Sequence, residues 1–328
     1  MVNQLELNNQ SRCLVVGSGD MGRAHAKALV ALLVGRVAVW SPSDRNRQLV
    51  LDEGAQFVGG GPLEDAVSTF APTHAVVAAP VEDLPAVTCK LLDLGVRNIL
   101  VEKPAVLDVA TGRALQQAAQ DVGGVIRVAY NRRFYAAVRT ARALMEQAGE
   151  SLTSIWFEFT EWAHVIEGLT NQTELTKARW LLANSMHVID LAFFPCGMPR
   201  REESTFLHGG SLAWHPSAAV FAGAGRTAAG TPFAYTANWN APGRWGIEWL
   251  TPSTRYIFRP MEKLHVMRLG SVAIEEVALL DDLDQRFKPG VYLQDRAFLS
   301  GEEGQLPDIG QAIDLVELAA RMAGYPGA

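Results

Sequence analysis

The chain has 328 residues, room for about two domains of ordinary size. Hydrophobic residues make up 48% and charged residues 20%, the balance of a globular protein with a sizeable core. A net charge of −6 without a run of five Lys/Arg speaks against a nucleic-acid binder, which needs a basic face, and no apolar run is long enough to span a membrane.

The polar start, Met1 to Arg12, lacks the charged-then-apolar layout of a signal peptide, so the expected location is cytoplasmic. Cys13–Val16 is a β-branched run ending in glycine, and Met21–Val34 has helical spacing. Val37–Trp40 reads as the next strand, and Asp44–Glu53 as a helix with Ser43 as its N-cap. Ala75–Ala79, Ile99–Val101 and Val125–Ala129 are further buried-type strands, with helices at Val81–Leu94 and Asp108–Gln120. This strand–helix alternation predicts a parallel sheet covered on both faces. The boundary is expected within Tyr130–Glu150, where a helix carries the chain across.

Beyond about Ser151 the rhythm changes. Ser154–Trp162 alternates Ile155, Phe157 and Phe159 with Trp156, Glu158 and Thr160. Thr205–Trp214, Phe233–Trp239, Ile247–Leu250, Tyr256–Phe258 and Val272–Val277 are also strand-like, broken by a helix at Asn184–Phe194. Successive strands with few helices between them predict a mostly antiparallel sheet. The expected organisation is an α/β Rossmann domain over 1–130 and an α+β domain with a large open antiparallel sheet over 131–328. The final helix, 309–322, is placed so that it can pack back on the first domain. Cys13, Cys89 and Cys196 are odd in number and match neither a disulfide framework nor a zinc ribbon, so they read as small buried thiols.

Gly17-Ser18-Gly19-Asp20-Met21-Gly22 fits G-x-G-x-x-G between the first strand and the first helix, the context that a dinucleotide site requires. The first glycine allows the tight turn, the second lets backbone approach a pyrophosphate, and the third permits close helix–strand packing. The helix N-terminus then faces the anion. After the second strand, Ser41 stands where an acid would hold the ribose 2′-hydroxyl, with Arg45 and Arg47 nearby. Hydroxyl and guanidinium groups suit a 2′-phosphate, so NADP(H) is favoured over NAD(H). The competing readings are that Asp44 turns back to the ribose or that these residues only start a helix.

Directly after the strand at Ile99–Val101 comes Glu102-Lys103-Pro104, at the sheet end where ligands bind in such folds. Taken alone, a Lys-Pro after a strand is more often a surface turn. In order along the chain stand Gly17–Gly22 followed by His25, then Ala78-Ala79-Pro80, Glu102-Lys103-Pro104, Tyr130-Asn131-Arg132-Arg133-Phe134, and His187-Val188-Ile189-Asp190. Together they resemble the Gfo/Idh/MocA family, the glucose–fructose oxidoreductase and inositol dehydrogenase group. The likeness extends to Phe287-Lys288-Pro289-Gly290 and the closing helix.

The resemblance implies a Rossmann domain followed by a large sheet through which copies form a dimer or tetramer. It implies reversible hydride transfer between nicotinamide and a hydroxyl or keto carbon of a sugar, nucleotide sugar or cyclitol. The active-site lysine then falls on Lys103 and the histidine on His187, with the Lys103–Pro104 peptide expected to be cis. Gly17, Gly19, Asp20, Met21, Gly22, Ser41, Arg45, Ala79, Pro80, Glu102 and Lys103 would hold the cofactor, and Tyr130, Arg133, Asn184 and His187 the substrate. One departure matters: where the family commonly has an aspartate four residues before the histidine, this chain has Ala183. Leu84, where the family often has a histidine, is a lesser departure.

Alcohol oxidation moves a hydride from carbon and a proton from oxygen. An imidazole titrates near neutral pH, so His187 is assigned the proton, and Lys103 stabilises negative charge on the same oxygen. Asp190, one turn along the predicted helix, either orients the imidazole or bonds backbone across the domain interface. His187/Asp190 and His164/Glu167 lack further partners at ligand spacing, so no metal is expected. Seven of the eight tryptophans fall after residue 150, where such residues fill sheets and interfaces more often than they stack on sugars. Arg133, Lys177 and Arg179 could meet the phosphate of a nucleotide-sugar substrate; for Lys177 and Arg179 taken singly, solvated surface charge is the favoured reading. Two other functions fit the same sequence: a cofactor-binding sensor without chemistry, motivated by Ala183, and C–O cleavage through a transient keto sugar with the nicotinamide recycled.

Overall fold

The computed structural model describes residues 11–33, 36–302 and 304–326, so the expectation for the chain start at 1–10 and the place of Val34 lie outside the described residues. The chain forms two compact units. The first runs to Phe134 and takes in Asp282–Asp314; the second is Tyr135–Asp281 with the chain from Leu315 onward.

In the first unit the elements are β1 (Cys13–Val16), α1 (Asp20–Leu33), β2 (Val37–Trp40), α2 (Arg47–Asp52), β3 (Gln56–Phe57), α3 (Leu63–Phe70), β4 (His74–Val77), α4 (Leu84–Asp93), β5 (Asn98–Glu102), α5 (Val109–Asp121) and β6 (Val125–Ala129). All six strands are parallel in the order β3-β2-β1-β4-β5-β6. This is the doubly wound arrangement whose order reverses between β1 and β4, the point where such sheets bind ligands. The apolar runs are explained by covering on both faces: Cys13, Leu14, Val15, Val76 and Leu100 are fully buried.

The expected second helix is shorter than its pattern, because Asn46 instead spends its side chain on the Ser18 carbonyl at 2.9 Å. Ser43 therefore caps nothing, and α2 starts at Arg47. The helix expected from Val81 begins at Leu84, after a turn in which the Asp83 N–H donates to the Pro80 carbonyl at 2.9 Å.

The second unit holds α6 (Ala136–Ala148), β7 (Ser154–Phe159), α7 (Ala163–Glu167), α8 (Glu174–Ala178), a π turn at Leu181–Ser185 and α9 (Met186–Phe193). Then follow β8 (Thr205–Gly209), β9 (Val220–Arg226), β10 (Pro232–Asn238), β11 (Trp245–Leu250), β12 (Thr254–Phe258), β13 (His265–Arg268) and β14 (Glu275–Glu276). They build one eight-stranded sheet, antiparallel except where β7 lies parallel to β10. The alternation in β7 buries Ile155, Phe157 and Phe159. Phe157 meets Phe193 of α9 edge-on at 5.4 Å, and Phe193 meets Phe233 at 5.0 Å, so α9 closes this core.

Besides β3 in the first unit, two strands of the second go beyond the sequence pattern. β9 carries Gly223 and Gly225, which face Tyr235 and Phe233 of β10 in register, and the rings occupy the space a side chain would need. β13 is only four residues long. Of Val272–Val277 only Glu275–Glu276 is a strand, and Val272 stands 93% exposed.

The continuous second domain expected over 131–328 is corrected by α10 (Asp282–Arg286) and α11 (Val291–Ser300), which belong to the first unit. The reason is apolar burial: Leu293, Ala297 and Phe298 share a core with Ala26 and Leu29 of α1. The last helix, α12 (Ile309–Ala323), is divided at Asp314/Leu315 between the units. Cys13 and Cys196 are buried, Cys89 is half-buried, and all three are unpaired. No described helix is long and apolar enough to cross a membrane.

Candidate active site

In the first unit the chain leaves β1 through Gly17, whose φ of +118° lies in the region that favours glycine. A side chain there would run into the Ala78 carbonyl, and one on Gly22 would overlap the Gly17 carbonyl. Gly19, in contrast, has nothing within 4 Å of where its Cβ would point. The turn is thus packed shut on the protein side and open at the position where backbone would approach a pyrophosphate. Asp20 and Met21 start α1, whose first N–H groups have no intrahelical acceptors, and exposed Asp20 pairs with Arg23 at 2.6 Å. Ser41, just after β2, is buried, its carbonyl accepting from the Gly60 N–H at 3.0 Å, while Arg45 is exposed. Ala79 and Pro80 follow β4, half-buried and exposed. These residues fit a dinucleotide.

At the end of β5 a buried charged cluster forms. His25 of α1 is fully enclosed, with Nε2 3.0 Å from Glu102 and Nδ1 2.8 Å from Asp295 of α11. Burial by itself would lower the imidazole pKa, but Asp295 and Glu102 outweigh it and push it up to about 10. The two acids thus favour the protonated imidazole, while burial lifts the carboxyl of Asp295. Lys103 follows immediately, half-buried, and its peptide to Pro104 is cis. The Ala105 N–H closes this turn on the Glu102 carbonyl at 3.0 Å, with Ala105 at φ +69°. Tyr130 is fully enclosed. Asn131 donates to the Pro289 carbonyl at 2.9 Å and Arg133 to the Gln305 carbonyl at 3.2 Å. The Tyr-Asn-Arg-Arg-Phe stretch thus ties the returning segment to the first unit.

In the second unit His187 occupies the first turn of α9, half-buried, its ring 6.3 Å from that of Trp245. Asp190 lies one turn further along and is buried. The π turn before α9 is anchored by Glu161, just past the end of β7. Asn184 Nδ2 donates to both Glu161 carboxylate oxygens at 3.1 Å, and Ser185 Oγ donates to one at 2.8 Å. Burial pushes the Glu161 carboxyl up, and donors led by Ser185, Trp245 among them, hold it at about 6. Such π turns recur at functional sites.

Glu161 forms part of the wall of a cavity of about 730 Å³ lined also by Trp162, His164, Glu167, Trp214, Trp239 and the 240–243 loop. Trp214 and Trp239 stack at 5.8 Å, and the Trp162 indole N–H donates to the Gly243 carbonyl at 3.1 Å while 58% of the residue stays exposed.

Residues 11–130 match the family model GFO_IDH_MocA, an oxidoreductase family with an NAD-binding Rossmann fold. Over these residues the chain is similar to the Gfo/Idh/MocA oxidoreductases. The scyllo-inositol 2-dehydrogenase (NAD(+)) of Bacillus subtilis is 28% identical over 162 residues, 46% of this chain and 44% of that protein, so the match spans less than half of the relative. Among solved structures, the UDP-N-acetylglucosamine 3-dehydrogenase of Acidithiobacillus ferrooxidans is 18% identical with a TM-score of 0.70, covering 95% of this chain and 96% of that one. An inositol dehydrogenase homolog of Azotobacter vinelandii, complexed with NADH and myo-inositol, is 16% identical with a TM-score of 0.72, covering 97% and 96%. At these identities the structures show a shared fold.

Where the resemblance implies an acid four residues before His187 the chain has Ala183, and Glu161 brings a carboxylate to that turn from another element. Sequence reading passed over Glu161 and Asp295; a single acid at a strand end or on a helix carries no spacing signal. Lys177 was expected at the surface but is 7% exposed, its Nζ donating to the Glu167 carbonyl at 3.2 Å with Glu174 at 3.4 Å. The Arg179 guanidinium lies over the Tyr325 ring at 4.3 Å. Both cations serve packing in the second unit. Half of the tryptophans are core: Trp180, Trp214, Trp239 and Trp249 are buried, whereas Trp162 is the exposed one on the cavity.

Proposed function

We propose that the protein is an NAD(P)-dependent oxidoreductase acting on a secondary CH–OH group of a sugar-like ring. When bound, the nicotinamide supplies the two-electron acceptor or donor. Lys103 hydrogen-bonds the reacting oxygen and stabilises negative charge on it. His187 takes the proton from that oxygen in oxidation and returns it in reduction. Asp190 orients the imidazole from one turn away, and Asn184 helps to bind the substrate. The observation that carries the reading lies within the first unit. The open, side-chain-free turn at Gly19 and the lysine at the end of β5 belong to one parallel sheet and stand at its carboxyl edge, where ligands of this architecture bind. The names of the relatives, which act on inositol and a nucleotide sugar, support a polyol substrate.

The cofactor is proposed to be NADP(H), because no acid ends β2 and Ser41 and Arg45 offer a hydroxyl and a cation. Lys103→Ala and His187→Ala are expected to melt like wild type and to bind cofactor, yet to lose at least about 10²–10³-fold in turnover. Wild-type rates in both variants overturn the assignment. Tight cofactor binding by wild type without turnover on a broad panel of polyols and their ketones would instead favour the sensor reading.

A further inference from the structure

We propose that Tyr325 is a positioning residue for the acid/base group: just past α12, its hydroxyl and ring hold the π turn that leads into His187. The inference rests on the oxidoreductase reading for the role of His187. Every group it uses to hold the turn lies in the second unit.

A helix stop brings Tyr325 to this place. Gly324 follows α12 with φ +67°, its N–H donating to the Arg321 carbonyl at 3.2 Å and the Tyr325 N–H to the Ala320 carbonyl at 3.0 Å. This paired closure turns the chain back on the helix, a conformation that favours glycine. Tyr325 is buried with its ring 5.5 Å from that of His215, which is itself enclosed by Trp239 at 4.7 Å and Phe221 at 6.1 Å. A phenylalanine would fill the same space. A hydroxyl among these rings is costly unless it is hydrogen-bonded.

The hydroxyl is bonded both as donor and as acceptor. His215 is fully buried, and burial pushes its pKa down to about 4, so the ring is neutral near pH 7. Its Nδ1 stands 2.6 Å from the Ala218 carbonyl, which only accepts, so Nδ1 carries the proton. Nε2 keeps its lone pair and accepts from the Tyr325 O–H at 2.7 Å. With that proton committed, the Tyr325 oxygen accepts from the Leu181 N–H. Leu181 opens the π turn, and its carbonyl accepts from the N–H of Met186, the residue before His187. A second tie runs through Arg179. Its guanidinium lies 4.3 Å over the Tyr325 ring, and its carbonyl accepts from the Ala183 N–H at 2.9 Å. Glu161 holds the other end of the turn through Asn184 and Ser185, so both ends are fixed. A base must stand within hydrogen-bond reach of the proton it takes, and a shift of about 1 Å in its support is felt strongly in turnover.

The test compares wild type, Tyr325→Phe, His187→Ala and the double variant, with scyllo-inositol, myo-inositol and UDP-N-acetylglucosamine as probes and NAD+ or NADP+ as acceptor. Tyr325→Phe keeps the ring under Arg179 and removes only the hydroxyl. On the probe that wild type turns over fastest, its kcat should fall about tenfold or more with KM within about threefold, the pattern of an interaction lost in the transition state. In the His187→Ala background the same change should cost less than about twofold, because its effect runs through the imidazole. His215→Phe strips the hydroxyl of its acceptor and keeps a ring in place, so it should repeat the kcat loss in smaller measure. Amide hydrogen exchange gives a readout without turnover. The Leu181 amide should exchange about tenfold faster in Tyr325→Phe, while the amides of β1, β4 and β5 keep wild-type rates. A wild-type kcat in Tyr325→Phe overturns the proposal. So does an equal fold loss with and without His187, which would mark a general loosening of the unit. The oxidoreductase reading fails separately, by wild-type rates in Lys103→Ala and His187→Ala or by no wild-type turnover on any probe. Faster Leu181 exchange would then still support Tyr325 as the anchor of the turn, and unchanged exchange would overturn it.

Discussion

On the proposed reading, cofactor choice turns on a handful of atoms around Ser41. Gly59 packs so closely against the Ser41 backbone that a side chain there would strike its carbonyl, which holds the end of β2 in place. Asn46 ties the following loop to the glycine turn through the Ser18 carbonyl, so the exposed Arg45 is carried on a fixed support. A guanidinium–phosphate contact is charge-assisted and worth about 1.5–3 kcal/mol. Arg45→Ala should therefore raise the Kd for NADPH about tenfold or more and leave NADH nearly unchanged, as read by quenching or energy-transfer titrations. Equal losses for both cofactors, or none, would refute a phosphate role. These residues could be read in the sequence because the turn is a string of neighbours whose steric demands are local. Glu161 could not: its partners Asn184 and Ser185 are 23 and 24 residues away, and nothing in a strand-end glutamate reveals that they arrive there. Lys177 misled in the opposite direction, since a lysine stem can be buried while its ammonium still finds a carbonyl.

Among elements, the joint of α1, β5 and α11 carries the strongest electrostatics. The three side chains His25, Glu102 and Asp295 are 77 and 270 residues apart in sequence, yet they meet within 3.0 Å. Glu102 directly precedes Lys103, so the cluster sets where β5 ends and the Lys-Pro turn begins. The sign of its pH effect follows from His25. Its folded pKa, about 10, is raised above the unfolded value, about 6.5. The stabilisation is thus complete below about pH 6.5 and is lost as pH climbs towards 10. Asp295 partly opposes this, because burial lifts its carboxyl above the unfolded value and favours its neutral form. Asp295→Asn keeps the shape and removes one charge. It should cost about 3–5 kcal/mol at pH 7, where a buried pair is broken. Its urea midpoint should then fall less than that of wild type between pH 7 and 9.5, since less proton-linked stability remains to lose. Parallel midpoint curves for the two proteins would show that the proton on His25 does not hold this joint. Sequence reading had His25 in its motif but no partner for it, because hydrogen-bond geometry between distant helices leaves no periodic trace.

For the whole molecule, the order of elements along the chain is not the order of its cores. The strand–helix alternation up to Phe134 was readable because each unit of it packs on its sequence neighbours, and the six-stranded sheet has the expected parallel topology. Nothing local says which core an amphipathic helix such as α11 will join, and its segment returns to the first unit after the eight-stranded sheet is complete. The returning piece is integral to that unit. Leu293, Ala297 and Phe298 cover Ala26 and Leu29, the Val128 N–H donates to the Pro307 carbonyl at 2.9 Å, and Asp295 completes the His25 cluster. Burying two or three large apolar side chains is worth about 1.5–3 kcal/mol each, a large share of the net stability of a domain, about 5–15 kcal/mol. A fragment of residues 11–134 should therefore unfold without a cooperative transition and bind no dinucleotide. The same fragment joined by a flexible linker to residues 282–314 should regain a sigmoidal melt by circular dichroism and NADPH binding by fluorescence. A cooperative, cofactor-binding 11–134 fragment would mean that α11 merely decorates a core that β1–β6 and their own helices already complete.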